Sequence, residues 1–121
     1  MEKIFVYDTH RAYARLIKLE FGKTHDIHCP QNYDSYSAID FKQFSFAFVI
    51  IHDYEELISI IPIMQTVPNI IVGSKLKNIE EVSKFSYNMM YIDISLPKHE
   101  LLSELNNLFK LFANESNNSN V

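Results

Sequence analysis

The stretch "FAFVIIHDYEEL" (46–57) decides how this chain reads. Its first six residues are apolar, bulky and without polar alternation, which predicts a strand buried on both faces, as a central parallel strand is. The run ends at His52-Asp53, and the chain then turns polar. A buried strand that delivers a carboxylate at its end raises one question: does Asp53 do chemistry, and with which partners?

Working outward, apolar runs alternate with amphipathic ones along the whole chain. "KIFVY" (3–7) is a short strand ending at Asp8-Thr9. A helical pattern follows from His10, with Tyr13, Leu16, Ile17 and Phe21 on one face, Thr9 as its N-cap and Gly22 closing it. "HDIHC" (25–29) predicts a second strand, and "YDSYSAIDFKQF" (33–44) a short helix. "YEELISIIPIMQ" (54–65) predicts a helix that Pro62 breaks or kinks. "NIIVGS" (69–74) is a fourth strand, "NIEEVSKFSY" (78–87) a helix capped by Asn78, and "MMYIDI" (89–94) a fifth strand. Pro97 then opens a last helix whose Leu101, Leu102, Leu105, Leu108, Phe109 and Phe112 fall at core spacing. The polar tail, 114–121, is expected to be disordered.

Five strands and five helices in alternation imply crossover connections. The expected fold is therefore α/β: a single five-stranded parallel sheet flanked by five helices, over one domain spanning 1–113. In such sheets the functional crevice lies beyond the carboxyl ends of the strands. The residues to interrogate are accordingly Asp8-Thr9, Cys29-Pro30, His52-Asp53, Gly73-Ser74 and Ser95-Leu96-Pro97.

Bulk composition narrows the classes. The net charge of −4, without a basic block, argues against a nucleic-acid partner. The longest apolar runs fall far short of the ~20 residues of a membrane span. The start of the chain lacks the pattern of a secretory signal, and the lone Cys29 has no disulfide partner, so a cytoplasmic setting is expected. Cys29 itself reads as a small buried hydrophobe. With only Gly22 and Gly73, a nucleotide-cradling loop has no material. His25 and His28 lie three apart on a strand, hence on opposite faces, which does not suit zinc. His10 and His99 read as solvated residues at helix starts. Tyr33, Tyr36, Tyr54, Tyr87 and Tyr91 are the aromatics left over for a partner-facing surface.

The order of elements from 2 to 113 resembles the receiver domain of two-component response regulators, a flavodoxin-like (βα)5 fold. "KIFVYDTH" resembles the first receiver strand, which ends in two acidic residues that bind magnesium; here the pair is Asp8 and Thr9. "FVIIHD" resembles the third strand, whose terminal aspartate accepts the phosphoryl group. In ungapped register His52 takes that position; one inserted residue gives it to Asp53. "VPNIIVGS" resembles the fourth strand, ending in the switch hydroxyl, Ser74. "YIDISLPKHEL" resembles the fifth strand and its Lys-Pro pair, with Leu96 where the lysine belongs and Pro97 retained. The stretch between His52 and Ser74 is shorter than in the family and lacks its Met-Pro and Asp-Gly pieces.

The chemistry implied by that resemblance is incomplete here. Phosphoryl transfer to an aspartate needs magnesium held by carboxylate and other oxygens, and a cation to balance charge on the phosphoryl group. One acidic residue of the pair has become Thr9, and the cation position is Leu96; Lys98 and Lys75 are the nearest replacements. Asp8 and Asp53 are the residual candidates for a magnesium ion. The expectation is an atypical receiver-like module, not an enzyme, that acts by binding another signalling protein or itself without phosphorylation. Its docking face would be the fourth helix, fifth strand and fifth helix, 78–112, including Asp93 and Lys98. The alternatives are a phosphorylatable receiver using Asp53, Asp8 and Ser74 with Mg2+, or a small α/β ligand binder or enzyme with its own pocket at the strand ends.

Overall fold

In a computed structural model of the chain, the residues described are 2–30, 39–79, 81 and 88–118, with the backbone alone for 112–118. Five strands, β1 (Lys3–Tyr7), β2 (Asp26–His28), β3 (Phe46–Ile51), β4 (Asn69–Ser74) and β5 (Met89–Ile92), form one sheet in the order β2-β1-β3-β4-β5. All four pairings are parallel. This is an α/β fold with a five-stranded parallel sheet, compatible with the flavodoxin-like class.

The sheet is covered on both faces, which explains why β3 has no polar residue. Ile4, Val6, Phe46, Phe48, Ile50 and Ile71 face α1 (Ala12–Phe21) and α4 (Lys98–Asn118), packing with Ile17, Phe21, Leu101, Leu105 and Phe109. Phe5, Tyr7, Ala47, Val49, Ile51, Ile70 and Val72 face the other way, onto Phe41, Phe44, Ile60, Ile63 and Ile79. The alternation along β1 and β3 is the two-residue period of a strand, with both sides apolar because both sides are core.

The helices differ from expectation in several places. The helix read over 54–65 is two, α2 (Glu56–Ser59) and α3 (Ile61–Thr66). The chain resets at Ile60 so that Pro62 falls in the first turn of α3, where its missing N–H costs nothing. Of the helix read over 33–44, residues 33–38 lie outside the described residues, and Phe41–Gln43 form a single 3-10 turn capped by Asp40. The helix read over 78–87 lies mostly outside them as well. Asn78, read as its N-cap, is left-handed (φ 67°), and its carbonyl accepts from Glu81 N–H at 3.2 Å. At the far end, α4 carries helical backbone through Asn118, into the stretch read as disordered tail. Extending a formed helix adds one hydrogen bond per residue ordered, so polar residues can continue what the core face nucleates. Residues 119–121 lie outside the described residues.

Among the described residues no helix is long and apolar enough to cross a membrane. Gly73, in β4, lies under the loop that follows β5: a Cβ there would stand 2.6 Å from Ile94 Cγ2 and 3.2 Å from Ile50 Cδ1. Close approach, not backbone freedom, is what requires glycine at this position.

Candidate functional site

Asp8 is the first residue beyond β1 and is fully buried, with 0% exposure. A buried carboxylate needs donors on every side, and the start of α1 supplies them. His10 N–H donates to Oδ1 (3.1 Å), while Tyr13 N–H and Ala14 N–H donate to Oδ2 (2.8 and 3.2 Å). Asp8 thus caps α1, a role the sequence assigned to Thr9. The turn between them is made by Arg11, left-handed at φ 66°, whose N–H returns to Asp8 O at 3.0 Å.

The fourth donor comes from the neighbouring strand. His52 is the first residue beyond β3, and its Nε2 lies 2.6 Å from Asp8 Oδ1. Since Asp8 already accepts three amides as a carboxylate does, the proton in this contact belongs on Nε2. His10 stacks on His52 with ring centroids 3.6 Å apart and planes 15° from parallel. The crevice residue at the end of β3 is therefore His52. Asp53 is exposed, and its carboxylate accepts the Glu56 N–H at 3.1 Å, at the start of α2.

Glu56 was not singled out by the sequence. It is 8% exposed, and Thr9 Oγ1 donates to its Oε1 at 3.3 Å, while Oε2 is buried without a hydrogen bond. Burial, with Asp53 nearby, pushes its carboxyl above the usual range. A signal was present: Glu56, Ile60, Ile63 and Val67 recur at helical spacing, and all four are buried.

Ser74 ends β4 and is buried and fully engaged. Its Oγ donates to Ile51 O at 2.6 Å and accepts Leu76 N–H at 3.0 Å. Leu96 packs at the edge of the apolar cluster under α1 and α4, and Pro97 O accepts Leu101 N–H at the start of α4. Asp93 and Lys98 are exposed. Ser95 N–H and Oγ–H donate to Asp93 Oδ1 and hold that carboxyl below its usual range. Tyr91, read as partner-facing, ties β5 to β4 through its hydroxyl on Ser74 O; Tyr54 is exposed, with its hydroxyl on Lys77 O. Tyr33, Tyr36 and Tyr87 lie outside the described residues.

These elements enclose a cavity of about 360 Å3 at the carboxyl end of the sheet, lined by His10, Ala12, Tyr13, Ile51, His52, Lys75, Leu76 and Ile94. Among the described residues Lys75 is the cation of this crevice; neither Leu96 nor Lys98 lines it. The donor set does not suit magnesium. Both Asp8 oxygens are taken by N–H donors, Asp53 is turned to the start of α2, and a hard cation wants several free oxygens. Among the described residues no group of three or more His, Cys, Asp or Glu is placed to hold a metal ion.

The remaining candidates are structural. His25 rests on Phe21 and Phe109, and His28 on Phe44, so the two sit on opposite faces, as strand spacing predicts. Cys29 lies 3.9 Å from Ala14 O, and burial pushes its thiol up, away from the reactive thiolate. No protein-family model, curated protein or solved structure matches this chain.

Proposed function

We propose that this protein is a receiver-like signalling module that works by association with another protein or with itself, without phosphorylation. The observation that carries this reading is the Asp8–His52 contact. A phosphoacceptor crevice must keep its carboxylates open to a metal and present an aspartate to the incoming phosphoryl group. Here the carboxylate at the end of β1 is consumed by three amides and an imidazole. An imidazole faces it from β3, and the only aspartate at that strand end caps α2. The charge balance that phosphoryl transfer requires is missing at each of these points.

With the crevice closed to that chemistry, the surfaces of β5 and α4 are the natural output. Asp93 follows β5 and Lys98 opens α4, and Met90 and Leu111 are exposed apolar side chains on these two elements. Incubation with acetyl phosphate and magnesium, followed by intact mass, tests the reading. The mass is expected to stay unchanged. A stable gain that disappears in Asp53→Asn overturns it in favour of a working phosphoacceptor.

A further inference from the structure

The cavity at the strand ends has a chemical character of its own. Its polar lining is His10, His52 and Lys75, and the rest of the wall is apolar or aromatic, including Tyr13, Ile51 and Ile94. Among the described residues no carboxylate lines it. Asp8 lies beneath His52 with its charge already satisfied by amides, and Asp53 and Glu56 stand outside the lining. Among the described residues the ionisable side chains lining the space are imidazoles, a phenol and an ammonium, and Lys75 supplies the positive charge. Asp8 takes the Nε2 side of His52, which fixes that ring and holds His10 stacked over it. Lys75, at the end of β4, has no ion pair among the described residues.

From this lining we infer that the cavity binds a small organic anion: a carboxylate or phosphate group seated against His10, His52 and Lys75, carrying a compact, flat apolar body against Tyr13, Ile51 and Ile94. The volume is within the range of small-molecule sites, and the pattern of an apolar wall with a few convergent polar groups is theirs. A charge-assisted hydrogen bond to the Lys75 ammonium, beside the stacked pair of imidazoles, gives the anionic end its selectivity. The site would make the domain responsive to a metabolite where the receiver family responds to a phosphoryl group.

The test uses benzoate and phenyl phosphate as anionic probes, with benzamide and benzylamine as neutral and cationic controls of the same shape. Amide and imidazole NMR shifts are followed during titration of the whole chain. At least one anionic probe should produce a saturable set of shifts at His10, Tyr13, His52 and Leu76, with a Kd of about 1 mM or tighter. Benzamide should bind about tenfold more weakly and benzylamine not at all. Lys75→Met, a change on an exposed side chain that leaves the fold intact, should weaken the anion about tenfold. Absence of saturable shifts with both anions, equal binding of benzamide, or an affinity indifferent to Lys75→Met overturns the inference. Each result is independent of the phosphorylation assay.

Discussion

His52 Nε2 stands 2.6 Å from the Oδ1 of Asp8, a carboxylate with no solvent exposure, so the ends of β1 and β3 are joined by a part-buried polar contact. The same carboxylate organises the first turn of α1. One side chain thus couples two strands and a helix, and removing it should be felt across the sheet.

Asp8→Ala is expected to cost about 3–5 kcal/mol, the range for deleting one partner of a buried pair. Asp8→Asn is the sharper test. Both oxygens accept hydrogen bonds, Oδ1 from His10 N–H and His52, Oδ2 from Tyr13 and Ala14 N–H. An amide group must turn its NH2 toward donors on one side, so the isosteric change should still cost about 2 kcal/mol or more. Urea unfolding reads both. A neutral Asp8→Asn would mean that the carboxylate merely fills space.

Ser74→Ala should cost about 1–3 kcal/mol, because it removes the partner of a buried carbonyl, Ile51 O, and of the part-buried Leu76 N–H. The loss should also loosen the Lys75-Leu76 segment, read as faster amide exchange at Leu76. Unchanged exchange there would show that water replaces the hydroxyl.

Gly73→Ala places a methyl 2.6 Å from Ile94 Cγ2 and 3.3 Å from Ile92 Cγ2. Both are branched methyls fixed near the backbone, with little freedom to yield, so overpacking of about 1–3 kcal/mol is expected in thermal or urea unfolding.

How much of this was legible in the sequence follows from the range of each interaction. The strands announced themselves because a sheet covered on both faces demands unbroken apolar runs, and "FAFVII" has no other use. Pro62 marked a helix break because its effect is local. The capping of α1 was assigned one residue late: Thr9 and Asp8 are both competent caps, and only the left-handed turn at Arg11 brings the Asp8 carboxylate over the helix end. The His10–His52 stack was out of reach, since it depends on β1 and β3 lying side by side in the register that sets Tyr7 opposite Val49. Glu56 was legible in principle, through its phase with Ile60 and Ile63, but a carboxylate on an apolar face is ordinarily read as a mistake in the phase.

Glu56 gives the protein a pH dependence of definite sign. Its carboxyl is raised by burial and by Asp53, so the folded chain holds the proton to higher pH than the unfolded chain does. The proton favours the folded state below the ordinary carboxylate range, and that contribution is lost as pH rises through the raised value. Glu56→Gln keeps the Oε1 acceptor for Thr9 and removes the titration. The variant should be more stable than the parent at pH 7 and lose that advantage toward pH 4, in urea melts across that range. An advantage independent of pH would assign the effect to packing instead.

His52→Asp places a carboxylate at the end of β3 and tests what the imidazole does there. The new side chain faces Asp8, whose surroundings are already committed to one negative charge by three amides. Two carboxylates in a buried contact cannot both ionise freely, so the pair should retain a proton and lose stability as the pH forces it off. The variant is expected to match the parent most closely near pH 4 and to fall behind it by pH 7, the opposite of the Glu56→Gln trend. Equal stability at both pH values would mean that the new carboxylate swings to solvent and that Asp8 does not need its partner. A loss confined to high pH would show that the imidazole is what makes a buried Asp8 tolerable at neutrality.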